Sequence, residues 1–289
     1  MTTEAVHAKA SGTFSIGGDL AVNRMGYGAM RITGEGIWGE PKDAEECKRV
    51  LRRAVELGVN FIDTADSYGP EVSERLIGEA LAPYAKDVVI ATKAGLTRQG
   101  PNQWLPVGRP EYLQQQVEMS LRRLKVERID LWQLHRIDAK VPVEESLDVI
   151  KKLQDQGKIK HVGLSEVSVA EIKQAREAIE IVSVQNKFNI EDRAAEDVVD
   201  YCTANNLAFI PWSPVAAGKL AKPGGKLDEV AKRHNASVSQ LSLAWLLQRS
   251  PVILPIPGTS SVSHLEENVA ASAVELSQSE WAEIEAAAK

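Results

Sequence analysis

Three apolar runs in the first half of the chain each end in an ionisable side chain. Asn60-Phe61-Ile62-Asp63 closes on a carboxylate, and a phenol, Tyr68, follows one short turn later. Val88-Val89-Ile90-Ala91-Thr92-Lys93 closes on an amine, and Ile129-Asp130-Leu131-Trp132-Gln133-Leu134-His135 closes on an imidazole. Apolar runs of this length read as buried strands, so the polar groups arrive at successive strand ends. A phenol alone is a sluggish acid near neutrality, its ordinary pKa being about 10. An ammonium beside it favours the phenolate and lowers that value, and a carboxylate keeps the ammonium charged and in place. The imidazole adds a second donor. Such a set suits a carbonyl oxygen that gains negative charge and then a proton. None of the four is a good attacking nucleophile, so that group must come from elsewhere. A hydride from a reduced nicotinamide is the simplest source.

The elements that must carry these groups follow a regular alternation. Thr13 to Val22 reads as a hairpin around Gly17-Gly18-Asp19. After it come strand-like runs at 25–28, 60–63, 88–93, 129–135, 159–164, 181–185, 207–212 and 252–256. Helical patterns lie between or after them at 43–57, 72–81, 110–124, 143–156, 169–178, 194–205, 241–248 and 262–270, with a last helix from Gln278 to Ala287. The stretch between Lys93 and Pro110 reads as a long Gly- and Pro-bearing loop. Eight strand–helix units in series, without a linker, predict a single α/β domain: a (β/α)₈ TIM barrel with the N-terminal hairpin capping its bottom, preceded by a loose segment over residues 1–12. An open doubly wound sheet would need a Gly-rich phosphate turn after its first strand. Met25-Gly26-Tyr27-Gly28-Ala29-Met30 lacks the third glycine and no helical pattern follows it. In the barrel, strand C-termini line the active face, where Asp63, Tyr68, Lys93 and His135 fall.

Composition narrows the partners. The 289 residues carry a net charge of -6, with Lys and Arg dispersed among Asp and Glu, which gives no footprint for nucleic acid or an acidic membrane. Cys47 and Cys202 are far apart and lack metal-ligand spacing, so neither a disulfide framework nor a metal is expected, and the cytoplasm is the natural compartment. No run of signal-peptide type opens the chain, and no apolar stretch approaches the roughly 20 residues that span a bilayer.

From about Phe14 to the last helix, the chain resembles the aldo-keto reductases, a barrel family that binds reduced nicotinamide without a Rossmann domain. Asp63, Tyr68, Lys93 and His135 match the family's catalytic tetrad, which implies Tyr68 as proton donor. Gly163-Leu164-Ser165-Glu166 resembles a Gly-x-Ser-Asn segment whose polar pair holds the carboxamide, a task the resemblance also gives to Gln185 in Val184-Gln185-Asn186. Trp212-Ser213-Pro214 resembles an aromatic-Ser-Pro turn. Trp212 would stack on the nicotinamide, and the turn would run toward the pyrophosphate through Gly218 and Lys219. Gly258-Thr259-Ser260-Ser261, with His264, Glu267 and Asn268, resembles the adenine-phosphate end, where a helix N-terminus also suits a phosphate. Two positions depart from the pattern: Glu166 stands for the usual Asn, and Ser260 for the usual Arg or Lys. The implied cofactor is NADPH, with NADH as the alternative.

Within the family the chain is most similar to the bacterial pyridoxal reductase-like branch, on Gly26-Tyr27-Gly28-Ala29-Met30, Trp104-Leu105-Pro106 and Pro257-Gly258-Thr259-Ser260-Ser261-Val262. Little chain follows Asn268, so a fairly open pocket is expected, with Met30, Trp38, Trp104 and Arg136 as walls. The partner is then a small-molecule carbonyl, such as a planar aromatic aldehyde held between indoles, and the protein a monomer or weak homo-oligomer. A tryptophan pinning its own loop is the competing reading for Trp38 and Trp104, and a surface ion pair for Arg136. His161 reads as structural, and Trp132 and Trp245 as core. A nicotinamide-binding regulatory β-subunit with little turnover and a barrel enzyme using a Lys93 Schiff base are the alternative functions.

Overall fold

The computed structural model of the protein describes residues 6–215 and 223–288. Its centre is a parallel sheet of seven strands in spatial order β11-β10-β9-β8-β5-β4-β3. In chain order these are β3 (Tyr27–Gly28), β4 (Phe61–Asp63), β5 (Val89–Ala94), β8 (Ile129–Leu134), β9 (Ile159–Ser165), β10 (Ile181–Gln185) and β11 (Ala208–Phe209). Residues 252–257 close the ring. Phe209 N donates to Val252 O at 2.9 Å and Leu254 N to Phe209 O at 2.8 Å, while Gly26 N donates to Pro255 O at 2.9 Å. The expected (β/α)₈ barrel is therefore present, its eighth stave joined to both neighbours. Glycine permits that seam: a Cβ on Gly28 would lie 2.6 Å from Ile256 O, and one on Gly258 would lie 2.7 Å from Gly28 O.

Strand alternation sorts the side chains. Val89, Ala91, Phe61 and Leu131 point inward to a core completed by Ile16, Leu20 and Val22 of the hairpin, β1 (Thr13–Ile16) and β2 (Leu20–Asn23). The hairpin thus plugs the N-terminal mouth, as expected. His161 Nε2 meets Asp19 Oδ1 at 2.7 Å and Lys160 Nζ meets Asp19 Oδ2 at 3.0 Å, so His161 anchors the hairpin turn.

Helices α1 (Ala44–Glu56), α2 (Val72–Leu81), α3 (Pro110–Leu124), α4 (Val143–Asp155), α5 (Val169–Ala178), α6 (Glu196–Ala204), α8 (Val238–Arg249) and α9 (Val262–Ala270) cover the outside. The first buries Cys47, Val50, Leu51 and Ala54 on one stripe, and the Asp43 side chain caps its N-terminus by accepting from Glu46 N. Ser168 with Glu171 and Ser237 with Gln240 form capping boxes on α5 and α8. Trp132 and Trp245 are fully buried, as expected of core. No helix among the described residues is long and apolar enough to cross a membrane.

Three expectations need correction. The stretch read as a loop after β5 is largely an antiparallel hairpin, β6 (Leu96–Gly100) with β7 (Gln103–Pro106). Its strands mix Thr97, Arg98, Gln99 and Gln103 with Leu96, Trp104 and Leu105 in no alternating order, so hydrophobic alternation never marked it. The seventh barrel strand is only Ala208–Phe209, not 207–212. An additional helix, α7 (Lys226–Arg233), precedes α8, and α10 (Gln278–Ala288) closes the described chain.

Candidate active site

The C-terminal ends of β4, β5 and β8 bring Asp63, Lys93 and His135 to one mouth of the barrel, because each occupies an inward-facing register. Lys93 Nζ donates to Asp63 Oδ1 at 2.6 Å and to Thr64 O at 2.7 Å, and stands 3.5 Å from the Tyr68 hydroxyl. Both members of the ion pair are buried, Lys93 completely. Two amides hold the second carboxylate oxygen: Gln133 Nε2 at 3.0 Å and Gln185 Nε2 at 2.9 Å both donate to Asp63 Oδ2. A buried carboxylate with this many donors is oriented rigidly. Gln133 lies two residues before His135 on the inward face of β8, so alternation marked it as pointing into the barrel.

The electrostatics differ from the simplest sequence argument. Burial pushes the Tyr68 phenol above its ordinary value, and the neighbouring Lys93 ammonium, which opposes this, does not reverse it. The expected lowering by lysine is thus overturned: desolvation of a phenolate outweighs one attractive charge. Burial also works against the Lys93 charge, but Asp63 and Tyr68 together raise its pKa. His135 is held well below the usual imidazole range, first by burial and then by Lys93, Arg136 and Arg98. Its ring is neutral at pH 7, with Nδ1 3.3 Å from Ser67 Oγ.

A cavity of about 1040 Å³ opens on this cluster. Asp63, Tyr68 and His135 line it at one end, with Met30, Trp104 and Arg136 as further walls, and Gly258, Thr259, His264, Glu267 and Asn268 line it elsewhere. Trp104 stands edge-on to both Tyr68 (6.3 Å between ring centroids) and His135 (6.4 Å). Among the described residues Arg136 forms no surface ion pair: its Nη1 donates to His135 O at 2.6 Å and to Ser165 Oγ at 3.2 Å. Trp38 is a correction. It is 37% exposed, is not among the cavity's lining residues, and lies 5.7 Å from the Arg98 guanidinium. It belongs to the loop that Arg98 organises, so no pair of indoles from Trp38 and Trp104 flanks the cavity.

Arg98, on β6, is a residue that sequence reasoning missed. Its guanidinium donates to Ile37 O (2.6 Å), Ser67 O (2.8 Å) and Gly36 O (2.9 Å), and lies 3.6 Å from the Trp104 ring. One side chain thereby ties the Gly36-Ile37 loop and the Ser67 loop to the hairpin around Tyr68. Only the unrecognised hairpin, which turns Arg98 back over the mouth, could have revealed it.

Ser165, Gln185, Trp212, Ser213 and Pro214 line the cavity, as do Gly28 and Arg31. Gln185 gives one amide hydrogen to Asp63, and its carbonyl oxygen is a second group that suits a ligand. Glu166 does not line the cavity: its Oε1 accepts from Trp212 Nε1 at 2.5 Å and from Lys187 N at 2.8 Å. Ser260 lines a neighbouring cavity of about 640 Å³ together with Arg31, Lys42 and Glu46. Ser261 lines neither cavity and directly precedes α9, its N–H donating to Thr259 Oγ1 at 3.1 Å. Gly218 and Lys219 lie outside the described residues. No cluster of His, Cys, Asp or Glu able to hold a metal occurs among the described residues.

The donor set fits a dinucleotide. A flat indole and the amide and hydroxyl groups of Gln185 and Ser165 suit a nicotinamide, and the backbone approaching the N-terminus of α9, with Arg31 beside it, suits a phosphate. Comparison with known proteins agrees. A model of the aldo/keto reductase family matches residues 24–289. An uncharacterized oxidoreductase of Schizosaccharomyces pombe is 57% identical, over 98% of this chain and 92% of its own length. Pyridoxine 4-dehydrogenase of Escherichia coli is 43% identical, over 93% of this chain and 95% of its own length. The crystal structure of an aldo/keto reductase from Klebsiella pneumoniae in complex with NADP and acetate is 25% identical, with a TM-score of 0.80, covering 95% of this chain and 94% of that one.

Proposed function

The chain belongs to the aldo/keto reductase family of oxidoreductases, and from that premise we propose that it interconverts a carbonyl compound and its alcohol with NADPH as the redox partner. The observation that carries this reading is the convergence of the Tyr68 hydroxyl, with the buried Lys93 ammonium 3.5 Å behind it, and the neutral His135 ring on a cavity that Trp212 also lines.

When bound, the reduced nicotinamide supplies the hydride. The protein's own part is to fix the carbonyl and manage one proton. Tyr68 Oη donates that proton to the carbonyl oxygen as negative charge develops there. The Lys93 ammonium stabilises the phenolate left behind, and Asp63, gripped by Gln133 and Gln185, holds Lys93 charged inside the barrel. His135 Nδ1 lies 3.3 Å from Ser67 Oγ, and the tautomer that carries the ring proton on Nε2 offers it to the same oxygen. Ser165 and the carbonyl oxygen of Gln185 orient the carboxamide. Arg31 supplies a cation for the phosphate end in place of the one absent at Ser260, which favours NADPH over NADH.

Pyridoxal-like aromatic aldehydes are the proposed substrate class. With the Trp212 ring given to the nicotinamide, Met30 and Trp104 provide apolar and aromatic walls, and the partly buried Arg136 guanidinium suits the phenolate oxygen of a 3-hydroxypyridine. The relative named pyridoxine 4-dehydrogenase supports the same class. Titration with NADPH and NADH in parallel, followed by steady-state reduction of a series of aldehydes, tests the reading. Pyridoxal should exceed benzaldehyde in kcat/KM, and the reverse order by a wide margin would refute this substrate class.

A further inference from the structure

Glu166 stands at the junction of β9 and α5 with left-handed backbone (φ 56°). Its carboxylate is the partner of Trp212. Oε1 accepts the indole N–H at 2.5 Å and the Lys187 backbone N–H at 2.8 Å, while Lys187 itself reaches the Trp212 ring at 5.8 Å and pairs with Asp192 at 2.7 Å. Backbone bonds lock the same junction, with Glu166 N donating to Gln185 O at 3.0 Å and Trp212 N to Asn186 O at 3.2 Å.

The arrangement has an electronic consequence. Trp212 lines the main cavity and Glu166 does not, so the cavity meets the indole while the carboxylate acts through it. Indole has one polar hydrogen, and here it is given to a full negative charge. A donor bound to an anion gains electron density in its own ring, which makes the π face more negative and a better partner for a cation than for a neutral ring. Of the two redox forms of nicotinamide, only the oxidised ring is cationic.

We propose that Glu166 polarises Trp212 so that the protein holds the oxidised cofactor more tightly than it would with a neutral residue at 166, which makes the bound reduced cofactor a stronger hydride donor and shifts the bound couple toward carbonyl reduction. The inference rests on the reading, given above, that the nicotinamide stacks on Trp212. It makes Glu166 a positioning and tuning residue rather than a carboxamide ligand.

The test is isothermal titration calorimetry with NADP+ and NADPH separately on the wild type, Glu166→Gln, Trp212→Phe and the double variant. Glutamine keeps an acceptor oxygen for the indole and removes only the charge. Glu166→Gln should weaken NADP+ relative to NADPH by roughly two- to fivefold, the size of an exposed cation–π contact. In the Trp212→Phe background the same change should leave the ratio untouched. An unchanged ratio in Glu166→Gln, with both forms still binding, overturns the proposal, as does a shift that persists without the indole. If Trp212→Phe alters neither affinity, the stacking reading itself fails and takes the inference with it.

Discussion

Thr92 and Lys93 are consecutive on β5, and each touches a buried carboxylate, but on opposite faces of the sheet. Lys93 points into the barrel and pairs with Asp63 at 2.6 Å. Thr92 points out, donating to Glu74 Oε1 at 2.5 Å, and Glu74 Oε2 is paired with Arg123 Nε at 2.6 Å. Both ion pairs are buried, yet only the inner one has a further neighbour, Tyr68, that opens on a cavity. The outer pair is enclosed between α2, α3 and the sheet. Close by, Asp66 is pushed well above the usual carboxylate range, first by burial and then by Glu74, while the Tyr112 hydroxyl donates to it at 3.2 Å. A buried charge pair is therefore no mark of chemistry in itself. The mark is access: one end of the pair must reach a group that a substrate can touch.

Four measurements break or sharpen that contrast. The largest effect belongs to Tyr68→Phe, which keeps the ring and loses the proton. Removing a general acid should lower kcat by roughly 10²- to 10⁴-fold with NADPH affinity retained, and unchanged turnover would exclude Tyr68 as the donor. Lys93→Met and Arg123→Met each strand a buried carboxylate, so each should cost about 3–5 kcal/mol in denaturant unfolding. Only the first should also abolish turnover; equal loss of kcat per folded molecule in both would erase the distinction drawn here.

The pH profile comes next. Reduction needs the Tyr68 phenol protonated, and its pKa lies above the ordinary value of 10.0, so kcat/KM for reduction should stay level through neutrality and fall only beyond about pH 10. Oxidation needs the phenolate and should rise over that range. His135 titrates well below 6.5, so neither profile should show an acid limb near that pH; one appearing there would contradict the neutral ring. The smallest effect is Arg98→Lys. An ammonium cannot reproduce the planar fork that binds three carbonyls and lies against Trp104, so KM for the carbonyl should rise by roughly three- to thirtyfold, as for a desolvated cation–π contact. A KM equal to wild type would remove Arg98 from the site.

The parts legible in the chain are those written in local pattern. Helices α2, α3 and α5 begin and end where periodicity and flanking residues place them, and strand-end register alone put Asp63, Lys93 and His135 at one mouth. The β6–β7 hairpin was not legible, because its strands carry no apolar alternation, Leu105 being exposed, and its turn, Pro101-Asn102, reads equally as loop. With it went Arg98 and the displacement of Trp38. Glu166 was legible as an anomaly but not as a partner of Trp212, which lies 46 residues away.

The order of residue types along the chain determined that an alternating α/β barrel forms and that a phenol, an amine, a carboxylate and an imidazole share one of its ends, since both follow from short-range periodicity. Tertiary structure alone decided which way the Tyr68 pKa moves, that Gln133 and Gln185 clamp Asp63, and that Glu166 serves the indole rather than the cavity. Those outcomes depend on desolvation and on neighbours distant in the chain, and neither quantity exists until the barrel has closed.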